Sequence, residues 1–89
     1  MYEFKLYVVG RTAKSTRTIE ELKTLLTSAF DGHYRLEVID VTQNPQLAQA
    51  NKVLATPTLE KVTPEPARKV VGDLSNSETV LLALGLTAE

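Results

Sequence analysis

The amino-acid sequence predicts a small α/β domain whose elements follow the order β-α-β-α-β-β-α. Residues 2–9 and 34–41 begin with alternating apolar and polar side chains, which is the pattern of half-buried strands. Residues 15–30 instead repeat apolar side chains every three or four positions, which is the pattern of an amphipathic helix. The chain has 89 residues, so we expect residues 1–89 to form one domain with a modest core.

The first half of the chain predicts two parallel strands joined by a helix. The strand at 2–9 ends with Tyr7 and Val9, which make it apolar on both sides, so we expect that end to be buried on both faces. The helix at 15–30 is long enough for a crossover connection. The strands at 2–9 and 34–41 should therefore run parallel.

The second half of the chain predicts a short helix followed by a hairpin. Pro45 favours a helix start, because proline is tolerated at the first helical position. Residues 56–62 and 67–71 are strand-like, and Pro64 and Pro66 force a turn between them, so these strands should pair in antiparallel fashion. A βαβ half followed by a ββα half is the arrangement of thioredoxin-like domains.

The last element has two interpretations. Ser75 and Glu78 match a helical capping box, in which a cap residue is followed three positions later by glutamate. The run that follows contains an alanine and three leucines, which favours a helix. A strand is the alternative, because residues 79–82 are short and apolar.

Composition and motifs exclude several functions. Ten basic and eleven acidic residues give a net charge of −1, which provides no general attraction to nucleic acid or to an anionic membrane. The absence of cysteine excludes thiol–disulfide chemistry and thiolate metal sites. We identify no catalytic set, no cofactor motif and no metal site around the single histidine, His33. The N-terminus lacks the features of a signal peptide, so we expect a cytoplasmic protein.

Two further residues have both a structural and a functional interpretation. Asp40 ends a strand, and it is either a cap for the following turn or a solitary acid or base without an evident partner. Pro57 precedes the third predicted strand, where thioredoxin-like folds place a cis proline. It forms either a loop shaped for recognition or a structural turn.

Five blocks of the sequence carry a resemblance to a known family, and they are Lys5-Leu6-Tyr7-Val8, Val38-Ile39-Asp40-Val41, Asn44-Pro45-Gln46-Leu47-Ala48, Leu54-Ala55-Thr56-Pro57-Thr58-Leu59 and Val71-Gly72-Asp73-Leu74-Ser75. In this order and spacing they resemble the KaiB family over about residues 4–86. The resemblance implies a non-enzymatic adaptor of the cyanobacterial circadian clock, which binds the hexameric ring ATPase KaiC, captures KaiA and displaces the kinase SasA. It also implies two folds, a thioredoxin-like monomer that binds KaiC and a tetrameric ground state with a strand near the C-terminus.

The resemblance also implies a partner-binding surface. The short helix faces KaiC in the family, which makes Gln46, Gln49 and Asn51 candidate contacts. Four basic residues resemble positions around the family's partner surface, and they are Arg17, Lys52, Arg68 and Lys69. From the residues alone these are solvated surface charges, and that interpretation stays open. The alternative function is a thioredoxin-like interaction module that acts in signalling or stress response without KaiC.

The chain departs from the family in its last element. Ala83-Leu84-Gly85 stands where the family usually has Gly-Leu-Asp, and alanine in place of glycine stabilises a helix by up to about 1 kcal/mol. This departure favours the thioredoxin-like monomer, whereas assembly into a tetramer would favour the ground state by mass action. We therefore expect structural roles in the choice between the two folds for Pro57, Ser75, Glu78, Ala83 and Gly85.

Overall fold

A mixed four-stranded sheet forms the centre of this fold, and helices surround it. The structure is a computed structural model that describes residues 1–10, 12–72 and 74–85. Arg11, predicted to lie in a polar loop or at a helix start, and Asp73, predicted together with Gly72 to end the fourth strand, lie outside these ranges. The elements follow the predicted order and are β1 (Tyr2–Val8), α1 (Ala13–Phe30), β2 (Tyr34–Asp40), α2 (Pro45–Ala50), β3 (Thr58–Thr63), β4 (Arg68–Val71) and α3 (Ser77–Ala83).

The strands lie in the order β2-β1-β3-β4. β1 and β2 run parallel over their whole length, from the pair Tyr2 and Tyr34 to the pair Val8 and Asp40. β3 runs antiparallel to β1 and forms an antiparallel hairpin with β4. The predicted crossover and the predicted hairpin are both confirmed, and β2 and β4 are the edge strands.

The hydrophobic core lies on the face of the sheet that α1 and α3 cover. Alternate residues of β1 point to this face, where Phe4, Leu6 and Val8 are at most 4% exposed. Lys61 of β3 lies on the same face, opposite Phe4, and its aliphatic stem extends the core because the residue is buried. The remaining buried residues of this cluster are Leu22, Leu26, Leu59, Val70, Leu74, Val80 and Leu84.

The opposite face of the sheet is enclosed at one end. Tyr7, Ile39 and Thr58 lie side by side there, and all three are buried. The burial of Tyr7 confirms that the end of β1 is covered on both faces. The same prediction is wrong for Val9, which follows the strand and is 48% exposed.

Asp40 joins the ends of the two parallel strands. Its Oδ1 accepts hydrogen bonds from the amide of Gly10 at 3.0 Å and from the amide and hydroxyl of Thr42 at 2.9 and 2.6 Å. These hydrogen bonds, and the one from the Thr42 hydroxyl most of all, hold the pKa of Asp40 below its ordinary value. Asp40 is therefore a cap for the turn after β2, as one of its two interpretations predicted.

The C-terminal element is a helix, which confirms the helical interpretation over the strand. Its cap is Asn76, whose side-chain oxygen accepts a hydrogen bond from the amide of Thr79 at 3.0 Å. The predicted capping box at Ser75 and Glu78 is wrong, because the helix begins one residue later than that motif requires. Glu78 instead lies in the first turn, where its negative charge interacts favourably with the positive end of the helix dipole.

Gly85 follows α3 in a backbone conformation that side chains rarely allow. Its φ is +76°, and its amide donates a hydrogen bond to the carbonyl oxygen of Leu82 at 3.0 Å. A Cβ atom at this position would lie 2.8 Å from Nε of Arg68. The left-handed conformation therefore favours glycine here, whereas the approach of Arg68 would require only a shift of a flexible side chain. Ala83, the last helical residue, is exposed.

Replacing Asn76 tests the assignment of the helix cap. Asn76→Ala should lower the free energy of unfolding by about 1 kcal/mol, because the amide of Thr79 loses its acceptor. Asn76→Asp is the matched control, since it keeps an acceptor and adds a negative charge at the helix N-terminus. Urea unfolding followed by circular dichroism measures both variants. An Asn76→Ala variant as stable as the wild type would contradict the assignment.

The hydrogen bonds to Asp40 predict an acid-sensitive contribution to stability. Because folding lowers the pKa of this carboxyl group, its contribution is present above the ordinary pKa and is lost as pH falls through the folded-state pKa. The free energy of unfolding should decrease below about pH 4, and by less in Asp40→Asn. An NMR titration should place the pKa of Asp40 below its ordinary value, and Thr42→Val should raise it. An unshifted pKa in the wild type would refute this explanation.

Candidate functional site

The helix α2 is a surface element rather than part of the core. Each residue of Pro45–Ala50 is exposed or half-buried. Gln46 and Gln49, predicted as partner contacts, are both exposed. Leu47, which stands between them in the sequence, is 42% exposed. Most side chains of the helix are therefore accessible at the surface instead of being buried against the sheet.

The end of α2 is fixed by a two-bond motif. The amide of Val53 donates to the carbonyl oxygen of Ala48 at 2.9 Å, and the amide of Lys52 donates to that of Gln49 at 3.2 Å. This is the hydrogen-bond pattern of a Schellman motif, with Lys52 in the left-handed position at φ +56°. Glycine usually occupies that position, because a side chain there is disfavoured. The exposed side chain of Lys52 is thus held by a defined backbone turn.

A hydrogen bond connects this turn to the edge of the sheet. The ammonium group of Lys69 on β4 donates to the carbonyl oxygen of Asn51, the residue that ends α2. The Asn51 side chain in turn donates to the carbonyl oxygen of Leu47 at 2.9 Å. Two residues beyond Lys69 on the same strand face, Val71 is 58% exposed. We refer to Gln46, Leu47, Gln49, Asn51, Lys52, Leu54, Lys69 and Val71 as the α2–β4 surface.

The charge of the α2–β4 surface is positive. Residues 41–59 contain no aspartate or glutamate, and neither do residues 66–72. The acidic residue next to the surface is Glu60, the cross-strand neighbour of Lys69. Within the described part of the chain, Lys69 forms no salt bridge with it, and Glu60 accepts a hydrogen bond from the hydroxyl of Tyr7 at 3.4 Å. Lys52 and Lys69 therefore give the α2–β4 surface its positive charge.

The hydroxyl of Tyr7 is a structural donor rather than an acid at neutral pH. Burial, together with the charge of Glu60 and the hydrogen bond to it, raises the pKa of Tyr7 to about 12. The neutral phenol of Tyr7 therefore donates a hydrogen bond to the carboxylate of Glu60. Tyr7 thus contributes a fixed hydrogen bond beneath the α2–β4 surface.

The structure separates the other two basic candidates from this surface. Arg17 is exposed on α1, which packs on the core face of the sheet. Arg68 alternates with Lys69 along β4, so its side chain points to the opposite face, where it lies against Gly85. The structure therefore groups Gln46, Gln49, Asn51, Lys52 and Lys69, and places Arg17 and Arg68 elsewhere.

The sequence analysis missed the most exposed apolar residue of this surface. Leu54 is 96% exposed, although Val53 beside it is half-buried. In the sequence, Leu54 is a single leucine in a loop, where no periodicity assigns it a face. Its exposure follows from the turn at Lys52, which sets the direction of the chain after α2.

The groove beside the N-terminus of α1 has hydroxyl groups and no thiol. It has a volume of about 260 Å³ and is lined in part by Thr12, Lys14, Ser15, Thr56 and Pro57. Pro57 follows a cis peptide bond, as its place in the fold suggested. In the described ranges, no cluster of three or more His, Cys, Asp or Glu side chains could hold a metal ion. No helix of that part of the chain is long and apolar enough to cross a membrane.

Comparison with known proteins identifies close relatives over the whole chain. Residues 5–86 match the family model of the KaiB domain. The chain is 56% identical to the circadian clock oscillator protein KaiB of Picosynechococcus sp., covering 99% of this chain and 85% of that protein. It is 53% identical to the protein of the same name from Nostoc sp., covering 99% of this chain and 82% of that protein.

Solved structures with the same fold include a domain of SasA and a thioredoxin. The N-terminal domain of Synechococcus elongatus SasA matches with a TM-score of 0.76 and 26% identity, over 94% of this chain and 83% of that one. Chloroplastic thioredoxin z matches with a TM-score of 0.73 over 96% of this chain and 76% of that one, and at 19% identity it shows the fold alone. With a thioredoxin-like fold, a matching family model and relatives more than half identical, the chain belongs to the KaiB family of circadian clock proteins.

Proposed function

We propose that this protein is a non-enzymatic clock adaptor that docks on a KaiC-like hexameric ring ATPase and modulates its phosphorylation and partner exchange. The observation that carries the proposal is the hydrogen bond from Lys69 to Asn51, which joins α2 and β4 into one exposed surface. That surface combines amide side chains, two cations and three exposed apolar side chains. Such a mixture suits a protein partner better than a small ligand.

The likeness to the N-terminal domain of SasA supports an exchange of partners. Two domains of one fold, with a TM-score of 0.76 between them, can compete for one docking site on the ring. The outer edge of β2 is a second binding element, because an edge strand offers unpaired backbone groups to an added strand. We assign this edge to KaiA. We expect the adaptor to act in the cytoplasm as a thioredoxin-like monomer, with the tetramer as its alternative state.

Size-exclusion chromatography with a KaiC hexamer tests the proposed function. The protein should elute alone as a monomer and should move to the volume of the hexamer when KaiC is present. Wild-type protein that never co-elutes with KaiC, at any concentration tested, would contradict the proposal. It would favour the alternative, a thioredoxin-like module for another signalling partner.

Reversing the charge of Lys52 tests the role of the α2–β4 surface. Lys52→Glu should weaken binding to KaiC, mainly by slowing association, because an exposed charge at an interface steers the encounter of two proteins. The matched control is Lys23→Glu, an equal change at an exposed lysine on α1, on the other side of the sheet. Biolayer interferometry at low salt measures both rates. Equal association rates for the two variants would show that Lys52 is an ordinary surface charge with no role in binding.

A further inference from the structure

We propose that Leu54 is the apolar anchor of the α2–β4 surface, and that it enters an apolar pocket rimmed by carboxylates on the ring ATPase. This inference rests on the proposed function and adds the chemistry of the contact. Leu54 is 96% exposed, more than any other large hydrophobic residue recorded as exposed in this structure. A single exposed leucine is common on protein surfaces, so the residues around Leu54 decide whether it can act as an anchor.

The loop that carries Leu54 is held on both sides. On the N-terminal side, Val53 and Lys52 donate their amides back to the last turn of α2. On the C-terminal side, the hydroxyl of Thr58 donates to the carbonyl oxygen of Ala55, and the amide of Gly72 donates to that of Pro57 at 3.0 Å. Only a short stretch around Leu54 lies between these fixed points. The side chain is therefore presented at little further cost in conformational entropy on binding.

The surroundings of Leu54 have the layout of a binding patch. Leu47 and Val71, at 42% and 58% exposed, add apolar area on the elements that flank the loop. Lys52 and Lys69 add charge on the same elements. An apolar centre with a charged rim is typical of protein–protein interfaces, in which few residues contribute most of the affinity.

The positive charge of the rim predicts a negatively charged surface on the partner. Residues 41–59 and 66–72 contain no acidic residue, and the neighbouring Glu60 is hydrogen-bonded by Tyr7. A complementary partner must place carboxylates around the pocket that receives Leu54. A two-fold dimer through this surface does not meet that requirement, because it would place the positively charged surface of one copy against the same surface of the other.

Kinetics of binding to a KaiC hexamer test the anchor. Leu54→Ala should raise the dissociation constant at least about tenfold through faster dissociation, with little change in the association rate. Leu54→Met, which restores a flexible apolar side chain of similar size, should recover most of the affinity. Leu82→Ala is the matched control, because Leu82 is 68% exposed on α3, whose helix covers the other face of the sheet. Both alanine variants should unfold at the same urea concentration as the wild type.

Three results would overturn the anchor while leaving the proposed function intact. If wild type binds KaiC and Leu54→Ala binds within twofold of Leu82→Ala, Leu54 is not the anchor. If wild type self-associates through a contact that Leu54→Ala abolishes, the occupant is a second copy. If association with KaiC does not slow between about 0.05 and 0.5 M salt, the rim of the partner pocket is not acidic. Absence of any wild-type binding would instead contradict the proposed function itself.

Discussion

Val80 and Leu84, at one turn's spacing on the last helix, are fully buried against the sheet, and the rest of the architecture depends on this contact. α1 can cover only part of the core face, so Leu59 and Val70 on the hairpin need a second cover. α3 provides it as a helix, because Val80 and Leu84 then lie close together on the side that faces the sheet. As a strand, the same segment would separate these two residues by roughly 13 Å instead of roughly 6 Å along its axis and could not cover the hairpin in this way.

Formation of α3 on the core face also determines what remains free for binding. The hairpin is enclosed on the side of Leu59 and Val70, and its other side carries Lys69 and Val71. The turn after α2 is attached to that side by the hydrogen bond from Lys69 to Asn51. The α2–β4 surface is therefore built on the face that the core does not use. A change of fold in the C-terminal segment would alter this surface even though none of its residues lies in that segment.

Periodicity predicted the elements well because burial of one face determines each of them. The seven elements, the parallel pair and the hairpin all follow from apolar spacing and from the positions of prolines and glycines. The helix cap was wrongly predicted because serine and asparagine are both favourable cap residues, so the sequence does not decide between Ser75 and Asn76. The packing of α3 fixes the residue at which the helix begins, and this makes Asn76 the cap. Lys61 is buried on the core face, where its alternation with Leu59 places it, against the expectation for a charged residue.

The α2–β4 surface was only partly predictable from the sequence, for a related physical reason. The polar residues of α2 and the two lysines carry a chemical signal, and the resemblance to a family supported them. The separation of Arg68 from Lys69 depends on strand alternation relative to the core, which the structure reveals through Val70. The exposure of Leu54 depends on a left-handed residue at Lys52. Neither feature has a sequence pattern of its own, because each is fixed by packing or by a turn between distant segments.

The central claim is that the isolated chain adopts the thioredoxin-like fold with a helical C-terminal segment. Backbone chemical shifts of the protein in dilute solution test it most directly, since they report the secondary structure of each residue without a partner. We predict helical shifts over residues 77–83 and strand shifts over 68–71, in a particle of monomeric size. Strand shifts over residues 77–83 would contradict the account and would assign the chain to the tetrameric ground state.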